Sequence, residues 1–244
     1  MSSRWKDAEH VSEYVERRRR PRPFEDETLG LLRQVLRATS RPILRFMDVG
    51  CGGGQVGRQV WKVAPDAGGC FADFSAEMLK AARSEMDGID KEIRFVEADF
   101  ASPGWVDAVG FLAPFDAIVS GFAIHHVPNE RKKDFYAEAV SLLAPGGAFV
   151  TMDWIDSPSE DITHLHNHLY MERCLQMGLF DDSDQTLDEH VDRYANRDDR
   201  AGKLLQPLGV QLDWLEDAGL ADVDCYFKWL ELAVFGGKKP ARDE

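Results

Sequence analysis

The sequence predicts an α/β fold: a seven-stranded, mostly parallel sheet with helices on both faces, ending in an antiparallel hairpin. Three observations predict it. From 43 to 154, short apolar runs alternate with helical periodicities over short connections, the mark of a parallel sheet covered on both faces. The run Ile43–Val49 leads directly into Gly50-Cys51-Gly52-Gly53-Gly54 and then a helical pattern, which is the strand–glycine turn–helix opening of a nucleotide-binding unit. Near the end, Ala221–Phe227 and Trp229–Phe235 are two apolar runs joined so tightly that they must pair antiparallel.

The elements follow in order. Residues 1–40 read as two helices. The first, roughly Lys6 to Arg19, carries Trp5, Val11, Tyr14 and Val15 and is stopped by Pro21 and Pro23. The second, Glu25 to Ala38, spaces Leu29, Leu32, Val35 and Leu36 on one face. Strands are then expected at 43–49, 68–73, 92–97, 115–120 and 147–153, with helices at 54–64, 75–86, 103–111 and 130–142. Ligands of such sheets lie beyond the carboxyl ends of the strands, which singles out Gly50, Asp73, Asp99 and Ser120. After Trp154 the alternation stops. Positions 155–205 hold twelve acids against five bases, with a helical pattern at Asp188–Leu204. A helix over Leu208–Ala218 ends at Gly219 and leads into the hairpin. The chain divides into a helical cover (1–40), a core (41–154 and 206–237) and an insertion (155–205).

Composition sets limits. A chain of 244 residues with 44% hydrophobic residues makes one domain, or one domain with an embellishment. No run approaches the roughly 18 apolar residues of a membrane span, and the first residues contain no apolar signal segment, so a cytoplasmic protein is expected. A net charge of −14 argues against a broad phosphate-tracking surface, and a nucleic-acid partner is disfavoured. The one basic cluster, Arg17–Arg20 with Arg22, is diluted by Glu13, Glu16, Glu25, Asp26 and Glu27. Cys51, Cys70, Cys174 and Cys225 form no C-x-x-C pair, and free thiols are expected. His164 and His168 share a helix face but lack a third ligand at a useful spacing, so no metal is assigned.

The glycine spacing separates two ligand classes. A dinucleotide turn needs G-x-G-x-x-G, and counting from Gly50 and Gly52 the third position is Gln55. Asp48-x-Gly50-x-Gly52 instead resembles motif I of class I S-adenosylmethionine (SAM)-dependent methyltransferases, and Cys51 fills the loop position between the two glycines. Asp73-Phe74-Ser75-x-x-Met78-Leu79 resembles the family's next motif, Asp99-Phe100 its third, and Leu143-Ala144-Pro145-Gly146-Gly147 the turn before its fifth strand.

The resemblance implies a Rossmann-like core that binds SAM and releases S-adenosylhomocysteine (SAH). It implies that Asp73 holds the ribose, with Phe74 also at the cofactor, that Met78 borders the adenine, that Asp99 accepts its amino group and that Phe100 lies on the ring. It implies that Ser120 and Gly121 run along the methionine half. Read from the residues, Asp73 at the end of the second strand, about 20 residues past the glycines, suits the ribose hydroxyls better than a helix cap, since Ser75 already supplies the cap; the alternative for Asp99 is an ordinary turn residue. Catalytic candidates are His125, His126 and Asp153, with Asp153 first because it follows strand five directly. In this family the N-terminal helices and the insertion cover the pocket, which offers Tyr14, Arg20, His164, His168 and Tyr170 as substrate contacts.

The function this implies is methyl transfer from SAM to an oxygen, nitrogen or carbon of a small-molecule acceptor, by a monomer or homodimer. The acidic insertion suggests a neutral or cationic acceptor. A carboxy-SAM synthase-like enzyme is an alternative, since Ala218-Gly219-Leu220-x-x-Val223-Asp224-Cys225-Tyr226-Phe227-Lys228-Trp229 resembles that group. A SAM-binding protein without catalysis is another.

Overall fold

The structure is a computed structural model that describes residues 3–18, 20–39, 41–180, 185–197 and 204–241. Its seven strands are β1 (Arg45–Val49), β2 (Gly68–Asp73), β3 (Ile93–Glu97), β4 (Phe115–Gly121), β5 (Leu143–Trp154), β6 (Ala221–Trp229) and β7 (Leu232–Lys238). They form one sheet in the order β3-β2-β1-β4-β5-β7-β6. β1 pairs in parallel with β2 and β4, β2 with β3, and β4 with β5. β7 runs antiparallel to both β5 and β6. The hairpin therefore inserts its second strand into the sheet and leaves β6 at the edge.

The two faces are filled as strand alternation requires. On β1, Phe46 belongs to one core and Met47 to the other. Phe46, Phe71, Ala117, Val119 and Val150 pack under α2 (Glu25–Arg37), the single turn α3 (Gly57–Val60) and α4 (Ala76–Glu85). Met47, Ile118, Phe149 and Phe235 pack under α5 (Trp105–Gly110), α6 (Asn129–Ser141) and a helix that precedes β6. Phe46, Phe71 and Phe149 are fully buried, each worth about 1.5–3 kcal/mol of apolar transfer.

The remaining helices lie outside this frame. α1 (Ala8–Arg17) is capped by Asp7, whose carboxylate accepts the His10 N–H at 2.8 Å. Between β5 and the last helix stand α7 (Glu160–Gln176) and α8 (Leu187–Ala195), and α9 (Leu208–Asp217) leads into β6. α8 begins with a capping box in which Thr186 and Glu189 bond reciprocally. The return from the insertion is pinned to the core. Leu204 N–H donates to His125 O at 2.7 Å, Lys132 Nζ donates to Leu204 O, and Asp156 N–H donates to Gln206 O at 2.9 Å.

Four expectations are corrected. The first helix begins at Ala8, after a 3₁₀ turn (Ser3–Lys6), and closes at Arg17; Arg19 lies outside the described residues. The helix expected over 54–64 shrinks to α3, because Gly54 at φ +78° holds the chain in a turn. Leu143–Gly147 is the start of β5 rather than a turn before it: the register jumps from Phe115↔Leu143 to Ala117↔Ala148, a bulge. In the insertion, the helix expected over Asp188–Leu204 closes at Ala195; 181–184 and 198–203 lie outside the described residues.

Candidate active site

A cavity of about 1070 Å³ opens along the carboxyl ends of β1 to β5. Its floor is the glycine turn after β1, Asp73 and Phe74 after β2, Phe100 after β3, Gly121 to Ala123 after β4, and Trp154 at the end of β5. Residues of α1 and the segment after it line one part of the wall, and α7, α8 and their flanks another.

The glycine turn is tied down from beneath. Gly50 and Cys51 donate their N–H groups to Ala72 O at 2.8 and 3.0 Å. Gly50 sits at φ +65°, and a Cβ there would lie 2.2 Å from the Ala123 Cβ. Only glycine lets this turn touch the segment after β4. A Cβ on Gly53 would meet nothing within 4 Å, so the main chain there borders open space. The amide groups of this turn are largely used. Gly52 N–H donates to Asp73, Gly54 N–H to Cys51 O, and Gly57 N–H to Asp48. α3 therefore does not present a row of free donors.

Asp73 is 5% exposed and lines the cavity. Its Oδ1 accepts Ser75 N–H at 2.9 Å and its Oδ2 accepts Gly52 N–H at 3.0 Å. Burial raises its pKa to about 6 against the pull of those N–H groups. Each oxygen keeps a further lone pair, so a diol can be received by a carboxylate that is already oriented. Ser75, not Asp73, caps α4: its Oγ accepts Met78 N–H at 3.1 Å and donates to Trp5 O, which ties the N-terminal turn to this edge.

The second feature is an imidazole–carboxylate pair. His125 Nδ1 lies 2.5 Å from Asp153 Oδ1, and His125 N–H donates to Asp153 Oδ2 at 3.0 Å. Trp154 N–H donates to Asp153 Oδ1 at 2.8 Å. Burial opposes the charge on Asp153, but His125 and these backbone donors hold its pKa below the usual carboxylate range. With Nδ1–H held by Asp153, Nε2 is the basic nitrogen of His125. His125 is buried, lines the cavity and lies with its ring centroid 4.0 Å from that of His126, the planes tilted at 51°; the His126 ring meets Trp5 at 5.7 Å.

The structure brings Gly50, Cys51, Gly52, Asp73, Phe74, Met78, Phe100, Gly121, His125, His126, Tyr14, Arg20 and Tyr170 to one cavity. Six other candidates do not line it. Asp48 is 1% exposed beneath the turn, where its Oδ2 accepts Gly57 N–H at 2.7 Å. Ser120 is buried, its Oγ donating to Val49 O at 2.8 Å. Asp99 is exposed and accepts Ala101 N–H at 3.0 Å, as a turn residue does. Asp153, ranked first, stands behind His125. His164 is exposed, and His168 pairs with Asp188 of α8 at 3.1 Å. The sequence reading missed Trp5, Arg18, Arg22, Phe122, Trp154, Tyr194 and Arg197. The arginine run was visible, but nothing in it shows which guanidinium groups turn inward.

Residues 46–147 match a family model described as "Methyltransferase domain". Over these residues the chain is similar to methyltransferase domains. The chain is 29% identical over 131 residues to a demethylmenaquinone methyltransferase of Thermus thermophilus, covering 54% of this chain and 56% of that one. It is 38% identical over 110 residues to a release factor glutamine methyltransferase of Chlorobaculum tepidum, covering 42% of this chain and 36% of that one. The chain thus spans about half or less of the length of these two relatives. The fold is shared with magnesium protoporphyrin IX methyltransferase of Synechocystis PCC 6803 with bound SAH. The TM-score is 0.56 at 15% identity, over 88% of this chain and 83% of that one.

Proposed function

We propose that this methyltransferase moves a methyl group from SAM to a protonated oxygen or nitrogen of a small-molecule acceptor and releases SAH. The observation that carries the reading is the pairing, in one cavity, of an oriented buried carboxylate at Asp73 with the His125–Asp153 dyad. Asp73 accepts the ribose hydroxyls, Phe100 and Met78 give the adenine apolar surface, and the main chain at Gly53 and Gly121 borders the methionine half. Bound SAM supplies a methyl carbon already activated by its sulfonium. His125 takes the proton from the acceptor through Nε2, and Asp153 steadies the imidazolium that results. The volume of about 1070 Å³ supports a second ligand, since a single small-molecule site commonly occupies roughly 300–1,000 Å³.

Two measurements test this. Calorimetry with SAH should give binding that Asp73→Ala weakens by at least tenfold. Transfer of label from methyl-labelled SAM to a panel of hydroxyl and amine acceptors should be detectable. Tight SAH binding without transfer across the panel would make the chain a SAM-binding protein and not an enzyme.

A further inference from the structure

The charge lining the cavity runs against the charge of the chain. The molecule carries a formal net charge of −14, yet the described cavity lining holds six arginines against four carboxylates. Two of these arginines are short of partners. A single oxygen, Glu25 Oε1, is shared by Gln55 Nε2 at 3.0 Å, Arg18 Nη2 at 3.5 Å and Arg22 Nη2 at 3.8 Å. Arg18 Nη2 also donates to Gln55 Oε1 at 2.5 Å. Arg18 Nη1 and the Nε and Nη2 of Arg22 are buried with no hydrogen-bond partner. Both guanidinium groups lie over the Phe122 ring, 5.3 and 4.5 Å from its centroid. Phe122 itself is held at φ +56° and packs on Trp154 at 5.5 Å, which meets Tyr170 at 6.0 Å.

Buried donors without acceptors cost free energy, and a guanidinium fork fits a carboxylate in bidentate geometry. SAM does not balance this lining. It carries an ammonium, a sulfonium and one carboxylate, a net positive charge, so the unpartnered donors of Arg18 and Arg22 call for an anion from the other ligand. We propose that the acceptor is a planar aromatic acid whose carboxylate is held by Arg18 and Arg22 and whose ring rests on Phe122, Trp154 and Tyr170. The proposal rests on the methyltransferase reading and names its substrate class. It reverses the expectation of a neutral or cationic acceptor, which counted the acids of 155–205 without knowing which of them face inward.

The carboxylate has two sources, the acceptor and the methionyl end of the cofactor, and one calorimetric series separates them. Benzoate, 2-naphthoate and indole-3-acetate, each with its matching carboxamide, are titrated with and without saturating SAH. The proteins are wild type, Arg22→Gln and Arg18→Gln, with melting curves to verify folding. At least one acid should bind tenfold or more tighter than its amide. Arg22→Gln should erase that preference and leave SAH affinity within threefold. The proposal is overturned if no acid is preferred over its amide. It is also overturned if Arg22→Gln weakens SAH tenfold while 5′-methylthioadenosine, which lacks the amino-acid end, binds as before, because the arginine then serves the cofactor. A wild type that binds an acid over its amide but never binds SAH would retain the anion site and refute the methyltransferase reading.

Discussion

In the proposed reading Asp73 is the carboxylate that receives the ribose hydroxyls. Two backbone N–H groups fix its orientation, and burial lifts its pKa to about 6. Only the ionised form accepts from both hydroxyls, so SAH affinity should fall as pH drops through 6, by about tenfold per pH unit below it. Calorimetry between pH 5 and 8 reads this, and Asp73→Asn should bind weakly with the slope gone. In the proposed mechanism Asp153 acts through His125. Asp153→Asn should lower the methyl-transfer rate by roughly 10²–10⁴ while SAH affinity stays put. An unchanged rate would take His125 out of proton transfer. These two residues also show how far the sequence was legible. A motif locates the end of a strand to within a residue, but side chains alternate faces along it. In three places one of two adjacent residues lines the cavity and the other does not: Phe100 but not Asp99 and Gly121 but not Ser120, all four of them expected, and Trp154, which was not expected, but not Asp153. Asp73, by contrast, lines the cavity itself.

At the scale of elements, the sheet and its order of units could be read because each strand is an apolar run between turn signals. The cover could be read only as helices. What fixes α1 is a small satellite cluster of Trp5, Val11 and Met78, together with the bond from Ser75 Oγ to Trp5 O. That is far less apolar surface than α2 buries through Leu29, Leu32 and Leu36. Local opening free energies scale with such contacts. In hydrogen exchange, amides of α1 should therefore exchange at least tenfold faster than those of α2 in the free protein. SAH should slow α1 selectively, since Met78 and Trp5 both line the cavity. Equal protection of the two helices before ligand is added would show that the cover is already a fixed part of the core. α7 and α8 were legible only as a region of helix. Their approach depends on long-range pairs such as His168 with Asp188, and on Tyr170 stacked on Tyr194 at 4.9 Å. No local periodicity encodes either contact.

Across the whole molecule, the same carboxylates that prepare the site make the free protein sensitive to pH. Burial raises Asp48 to about 7, with Asp73 adding to the shift, and burial raises Asp73 to about 6, against an ordinary value of 3.8. A pKa raised in the folded state means the folded protein holds more protons than the unfolded chain between 3.8 and 7. The stabilising contribution of both groups is therefore complete below pH 3.8 and is lost as pH rises through 6 and 7. For Asp48 the loss is on the order of 4 kcal/mol, from about 1.4 kcal/mol per pKa unit. His166, its pKa lowered by burial, acts in the opposite sense near its ordinary 6.5, and Asp153, held below 3.8, titrates outside this window. The free protein should thus melt several degrees higher at pH 5.5 than at pH 8. Asp48→Asn should flatten that difference, because Asn Oδ1 can keep the Gly57 N–H bond while no charge remains to bury. SAH should work the other way, raising the melting temperature more at pH 8 than at pH 5.5, because it binds the ionised Asp73. A wild type and Asp48→Asn with parallel pH curves would place Asp48 in a wetter setting than its 1% exposure implies.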